Sequence, residues 1–169
     1  RDRFRFVHDR IQQAMYNLTP ESARPQAHLT IGRLLLGEHT AHEGTGVPED
    51  TGRLFELVAH LNQGAALIDA PEERTQVARL NRRAGELALS ASAWEQAAAL
   101  LAAGRDLLPP SSWSGHRELT LELFVQGAQA ALLLNRYDEM EALLQASAAH
   151  LTAPLEKTRM LRIRIEAFK

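Results

Sequence analysis

The sequence predicts an all-α protein built as a stack of antiparallel helix hairpins. Of its 169 residues, 45% are hydrophobic but only 5% are aromatic, and this balance favours helix over sheet. Apolar residues recur in several segments at the i, i+3, i+4 and i+7 spacing of one helix face. One such face also returns, because Trp94 and Leu101 are followed 43 residues later by Tyr137 and Leu144. A repeated hairpin is therefore predicted.

The first 70 residues are predicted to hold a short N-terminal segment and one helical pair. Residues 1–18 begin with a short segment of alternating polarity, after which the apolar residues have the spacing of one helix face. We interpret them as a remnant of a preceding domain. The pair at 19–70 should kink or restart at Pro25, because a proline inside a helix costs about 3 kcal/mol. Its glycines and proline make 37–52 an exposed, flexible loop in this prediction.

Residues 71–169 are predicted to form two hairpins and the first helix of a third. The first hairpin covers 71–109 and ends at the Pro109-Pro110 pair, which cannot continue a helix. The second covers 118–152 and repeats the apolar pattern of the first. A proline at 154 then opens the truncated third repeat.

The first hairpin resembles a tetratricopeptide repeat. Ala84-Gly85, Ala97, Leu101 and Pro109 lie at the spacings where that repeat has its leucine-glycine pair, its alanine, its bulky aromatic residue and its closing proline. The resemblance implies a right-handed α-solenoid of antiparallel helix pairs. In the second hairpin the glycine pair, Gly127-Ala128, is shifted by one position.

Gly85 stands inside a predicted helix, where glycine costs about 1 kcal/mol relative to alanine. Such a cost is understandable if the partner helix packs closely at that point. We expect the close approach to involve the small side chains of Ala97 or Ala98.

Four segments carry a wider resemblance, namely 4–10, 31–36, 54–65 and 78–85. They resemble the region that follows the ATPase module in large bacterial proteins combining a serine/threonine-kinase-like domain, an AAA or STAND-type ATPase and a sensor histidine kinase. The resemblance covers most of residues 1–109 and implies a signal-transduction context. It also implies that 1–18 is the exit of the winged-helix or ATPase module, and the chain is expected to be a fragment.

Composition argues against several functional classes. The net charge is -2 and the charges are interspersed, so no general field attracts nucleic acid or an anionic membrane. The absence of cysteine excludes disulfides and thiolate zinc sites. No apolar run approaches the roughly 18 residues of a membrane span. We expect a cytoplasmic protein.

No residues are expected to act as catalytic groups, cofactor ligands or metal ligands. His39 and His42 have an i, i+3 spacing, but no further ligand clusters with them. Gly44-Thr45-Gly46 lacks the lysine of a phosphate-binding loop. His8 and His60 are expected to pack against apolar faces, with hydrogen bonds to satisfy them.

One surface is a candidate for binding a partner protein. The concave face of a helical-repeat stack is its usual binding surface, and arginines there can bind an acidic or phosphorylated peptide. The candidate residues are Arg79, Arg82, Arg83, Glu86, Arg159 and Arg162. The alternative is a solvated helix face with i, i+4 ion pairs.

Two functions follow from these features. The first is a non-catalytic arm that couples an upstream ATPase module to downstream sensor or kinase domains, with its own domains or a regulatory protein as partner. The second is a free-standing adaptor that binds an acidic peptide or partner protein in the basic groove. An enzyme with a helical core would need inward-facing Glu-x-x-His pairs, and the sequence has none. Self-association through apolar helix faces at the two ends is also expected.

Overall fold

The computed structural model describes residues 20–43 and 51–168, and of 39–43 it describes the backbone alone. The helices of this part are α1 (Arg24–Glu43), α2 (Thr51–Gln63), α3 (Pro71–Ser90), α4 (Trp94–Asp106), α5 (Ser112–Gly115), α6 (Arg117–Leu133), α7 (Tyr137–Ala148) and α8 (Pro154–Glu166). Short 3-10 turns precede α1 and follow α2. The described residues contain no β-strand, so the predicted all-α class is confirmed.

The helices α1 and α2 form the first antiparallel pair. A Cβ on Gly32, in the middle of α1, would lie 2.6 Å from Leu61 Cδ2 near the end of α2. A Cβ on Gly64, just after α2, would lie 2.6 Å from Leu29 Cβ in the first half of α1. The two helices therefore run in opposite directions and approach closely where the chain has glycine.

The helices α3 and α4 form a second antiparallel pair, which we call the first repeat hairpin. Arg74, near the start of α3, donates through Nε to the Leu107 carbonyl after the end of α4, at 2.9 Å. Further along, a Cβ on Gly85 would lie 2.6 Å from Leu101 Cγ. The prediction that Gly85 packs against Ala97 or Ala98 is wrong, because it is the buried Leu101 that enters the space above the glycine.

The helices α6 and α7 form the second repeat hairpin, and its geometry copies the first. Arg117 donates through Nε to the His150 carbonyl at 3.1 Å, and both residues lie 43 positions after Arg74 and Leu107. The two connections also match: Ser92 and Asn135 are 43 residues apart, and each has a left-handed backbone with φ of 58°. The sequence repeat is thus present in the backbone as well.

Consecutive hairpins pack against one another. A Cβ on Gly104 of α4 would lie 2.7 Å from Leu123 Cδ2 of α6, so this glycine admits the next hairpin. On the exposed edge of the second helices, Arg136 pairs with Glu95 at 2.6 Å. The last helix, α8, runs antiparallel to α7. Arg164, near the end of α8, forms an ion pair of 2.5 Å with Glu141, near the start of α7.

The buried apolar side chains divide into two clusters. The larger one fills the space among α1 to α4 and one side of α6. The smaller one lies among α6, α7 and α8 and is built around Val125, Leu144 and Ile163. The helix α6 contributes to both clusters and therefore lies between the two parts of the core.

The loop predicted at 37–52 is wrong at both ends. The helix α1 continues through Gly37 to Glu43, and α2 already begins at Thr51. A Cβ at Gly37 would meet nothing within 4 Å, so this glycine costs only about 1 kcal/mol of helix propensity and does not end the helix. Residues 44–50 lie outside the described residues.

The predicted restart at Pro25 is confirmed. A 3-10 turn at Glu21–Ala23 changes to α-helix at Arg24, so Pro25 falls in the first turn. The backbone N–H that proline lacks would have no partner within the helix there, so no kink results. The predicted domain remnant at 1–18 lies outside the described residues.

Candidate functional site

A groove of about 760 Å³ opens between α3 and the start of α6. Its residues are Arg79, Arg82, Arg83, Gly115, His116, Arg117, Glu118, Leu119 and Glu122. One wall is the outward face of α3, and the other is the first turn of α6 with the two residues before it. The groove is therefore formed by two successive hairpins and exists only because they pack together.

Three of the six predicted partner-binding residues line this groove: Arg79, Arg82 and Arg83. Glu86 lies beside it and accepts from Arg82 and Arg83, at 3.4 and 3.1 Å. These two pairs have the i, i+4 and i, i+3 spacing of the alternative interpretation, a solvated helix face.

The two predicted residues on α8 behave differently from each other. Arg159 reaches Glu122 of the groove at 3.3 Å. Arg162 instead pairs along its own helix with Glu166 at 3.9 Å and is largely exposed. Arg159 is thus joined to the groove, whereas Arg162 is not. A binding role for the set as a whole stays a prediction.

Glu122 is the residue that joins these helices, and the sequence analysis did not single it out. Its Oε2 accepts from Arg82 Nη1 of α3 at 3.1 Å and from Gln126 Nε2 at 3.0 Å. Its Oε1 accepts from Arg159 Nη1 of α8 at 3.3 Å. One carboxylate of α6 therefore connects the first helices of three successive units. Sequence offers no direct signal for it, because its partners lie 40 and 37 positions away.

A second carboxylate, that of Glu156, binds the groove residue Arg117. Glu156, in the first turn of α8, accepts from Arg117 Nη2 at 2.6 Å and from the backbone N–H groups of Thr152 and Ala153. The Arg117 guanidinium, and then the two N–H groups, lower the pKa of this carboxyl to about 2. Arg117 is thereby fixed between the second hairpin and α8.

Arg79 is the groove cation that differs from the rest. It is exposed, and among the described residues it has no ion pair or hydrogen bond. Arg82, Arg83, Arg117 and Arg159 each pair with a carboxylate, although the four share only Glu86, Glu122 and Glu156. The groove is consequently less basic than a count of its arginines implies, and Arg79 is its one lining arginine without an ion pair among the described residues.

A histidine pair ties α1 to α2 away from the groove. The Nδ1 atoms of His28 and His60 are 2.8 Å apart, so one ring donates to the other. Burial, and then the neighbouring His28, lower the pKa of His60, while Glu56 opposes the shift. The predicted packing role of His60 is seen here, but its partner was not predicted because the two residues lie 32 positions apart.

The described residues hold no group of three or more His, Asp or Glu side chains arranged to bind a metal ion. The side chains of His39 and His42, and all of His8 and Gly44-Thr45-Gly46, lie outside them. None of the helices in the described ranges is both long and apolar enough to cross a membrane.

Comparison with known proteins finds a similar segment in a signalling protein. Over 161 residues the chain is 27% identical to hybrid signal transduction histidine kinase G of Dictyostelium discoideum. The alignment covers 85% of this chain but only 5% of that relative, so the chain spans a small part of its length. No family model matches the sequence, and no solved structure matches it.

Proposed function

We propose that this chain is a non-catalytic interaction and coupling arm of a signal-transduction protein. The observation that carries the proposal is the Arg82–Glu122–Arg159 link, which joins three successive first helices beside an open groove. A partner that contacts the groove touches the residues that hold neighbouring units together. Binding at one point is thereby coupled to the packing of the next unit.

The hairpin stack supports this role in physical terms. In helical-repeat proteins each unit contacts mainly its neighbours, and the stack offers a long surface to partners. A tetratricopeptide-like, right-handed solenoid following an AAA or STAND-type ATPase is the specific architecture we propose. The similarity to a hybrid histidine kinase supports the signalling context, and the kinase activity belongs to that relative.

The partner we propose is a protein segment with acidic side chains. Arg79 supplies a positive charge that no described residue neutralises, at the edge of a groove of about 760 Å³. A carboxylate of the partner would gain a charge-assisted hydrogen bond there. This same observation favours the second candidate, a free-standing adaptor for acidic peptides, so an experiment must separate binding from coupling.

Binding is tested by fluorescence anisotropy with a labelled oligoglutamate peptide at low salt. Arg79→Glu should weaken its affinity about tenfold, the equivalent of roughly 1.4 kcal/mol. The control is Arg53→Glu, because Arg53 is an exposed arginine of α2 outside the groove and gives the same change in net charge. Equal affinities of the two variants would refute the groove as the binding surface.

Coupling is tested by hydrogen exchange with and without the same peptide. A coupling arm should show added protection in α8 as well as in α3 and α6, and Glu122→Gln should abolish the protection in α8 alone. An adaptor should show protection confined to the groove helices. No turnover of ATP is expected, and a measurable rate that survives purification would contradict the non-catalytic assignment.

A further inference from the structure

A second concavity, of about 220 Å³, lies at the junction of the two repeat hairpins. It is bounded by the end of α4, the Pro109-Pro110 connection, Trp113 of α5 and one face of α6. Its lining is apolar and aromatic except for Arg105 and Thr120. Small-ligand sites share this mostly apolar lining with few polar groups but usually measure about 300–1,000 Å³, so only a compact ligand fits here.

Arg105 is the unusual member of this pocket, because it is half-buried and forms no ion pair with a carboxylate of residues 20–43 or 51–168. Its Nη1 makes one long hydrogen bond, 3.4 Å, to the Leu123 carbonyl, and the guanidinium lies 5.8 Å from the centre of the Phe124 ring. Burial lowers the pKa of Arg105, and the more distant Glu139 and Asp106 only partly oppose this. None of its side-chain nitrogens is both buried and unpaired, so the donors not used for Leu123 reach solvent and are free to bind a ligand.

The backbone of α6 is shaped to admit this guanidinium. A Cβ on Gly127 would collide with Arg105 Nη1 and would lie 3.3 Å from Leu143 Cδ1. In the first hairpin the position 43 residues earlier is Ala84, and the glycine follows it at Gly85. The one-residue shift of the glycine in the second hairpin thus has a physical reason: here it makes room for Arg105 and not for the partner helix.

The aromatic wall of the pocket is fixed in place. The rings of Trp113 and Phe124 have centroids 5.0 Å apart and are tilted by 49°. On its other side Trp113 stacks on His150, with centroids 4.0 Å apart. An apolar ligand body would therefore meet a wall that is already ordered, which reduces the entropy cost of binding.

We propose that this pocket binds a small monocarboxylate, with its carboxylate on Arg105 and its apolar body against Trp113 and Phe124. The planar fork of arginine matches the two oxygens of a carboxylate. A single positive charge suits a monoanion, whereas a phosphate would need several donors that this apolar lining lacks. Ligands of this size are small aromatic or short branched aliphatic acids.

The test uses benzoate as the probe and benzamide as a neutral probe of the same shape. Binding is followed by the fluorescence of Trp113 in a Trp94→Phe background, which leaves one tryptophan. Benzoate should bind with a Kd of about 1 mM, and benzamide at least tenfold more weakly. This comparison needs no change at the site, so it stands even if a pocket variant fails to fold. Equal binding of the two probes, or no saturation by benzoate at about 10 mM, overturns the proposal.

Substitutions then test whether the guanidinium of Arg105 is the group that binds the carboxylate. Arg105→Gln should weaken benzoate at least tenfold and leave benzamide unchanged, while Arg136→Gln, which removes an exposed arginine elsewhere, should change neither. Gly127→Ala should also weaken benzoate, because the added methyl group displaces the guanidinium. Unchanged benzoate affinity in a folded Arg105→Gln protein would show that Arg105 is structural and would overturn the proposal.

Discussion

The two repeat hairpins share a backbone plan but use their glycines differently. In the first, Gly85 lets Leu101 of its own partner helix pack into the core. In the second, the equivalent of Gly85 is Ala128, and the glycine one position earlier faces Arg105 of the preceding hairpin. One small residue thus secures packing within a unit, and another makes room for a contact between units. A repeat position that departs from the pattern in sequence can therefore indicate a contact between neighbouring units.

The largest effects should come from the leucines that the two hairpins have in common. Leu101 and Leu144 are both fully buried, so truncation to alanine removes apolar contacts and leaves a cavity. Each of Leu101→Ala and Leu144→Ala should lower the free energy of unfolding by about 3 kcal/mol. Urea denaturation measures this, and a loss below about 1 kcal/mol in either would show that its hairpin repacks freely.

The role of Gly85 provides the next largest effect. Gly85→Ala gains helix propensity but places a methyl group against Leu101 Cγ, and we expect a net loss of about 1–2 kcal/mol. In the Leu101→Ala background the clash is gone, and the same substitution should become stabilising. A double-mutant cycle by denaturation measures the change of sign. Additive effects would mean that the close approach does not limit packing.

Acid should weaken the contact between the second hairpin and α8. The pKa of Glu156 is about 2 in the folded protein against 4.5 as its ordinary value, so its contribution is present above about pH 5 and is lost as the pH falls toward 2. Arg74 in the first hairpin contacts only carbonyls, at 2.9, 3.2 and 3.1 Å, and these do not titrate.

Hydrogen exchange from pH 5 down to pH 3 should therefore show increasing opening at the start of α8. Glu156→Gln removes the titrating group and should remove this pH dependence at α8, while the start of α3, where Glu73 titrates, should respond alike in both proteins. Arg33 and Arg164 lower the pKa values of Glu73 and Glu141, so total stability also declines with acid. For that reason the role of Glu156 is decided by local exchange in α8 of the two proteins, and not by the global unfolding curve.

The smallest effect should be found at the exposed contact between the hairpins. Arg136 and Glu95 form an ion pair of 2.6 Å, but Glu95 is 71% exposed in its side chain. Such pairs contribute about 0.2–1 kcal/mol, and salt screens them. Glu95→Gln should change the free energy of unfolding by less than about 1 kcal/mol at physiological salt, with a loss that shrinks further at 1 M salt. A larger, salt-independent loss would indicate a packing role for Glu95.

Helix periodicity and proline positions were sufficient to predict the class and most helices. The start of α4 at Trp94 and the end of α3 at Ser90 follow from the pattern of apolar and turn residues. The continuation of α1 past Gly37 was not predictable, because glycine marks a helix end only when nothing favours continuation. Sequence patterns therefore predicted helix ends best where a helix-breaking residue coincides with a change in the apolar face.

The candidate site was predictable only in part. The arginines of α3 lie on one helix face, so their shared surface follows from spacing alone. Their neutralisation by Glu122 and Arg159 depends on contacts across three units, which no local pattern encodes. The same holds for His28 with His60 and for the pocket at Arg105, since each joins residues far apart in sequence.

The placement of the ion pairs between units also has a mechanical consequence. Arg82, Glu122 and Arg159 run along one edge of the molecule, and Glu95 with Arg136 lies on the edge formed by the second helices. When the stack bends, the ion pairs on one edge are stretched and those on the opposite edge are compressed. Because the exposed Glu95–Arg136 pair weakens as the screening length shrinks, the bending stiffness of the stack should decrease as ionic strength rises. The same hairpins would then act as a stiffer lever in dilute salt and a more compliant one in concentrated salt.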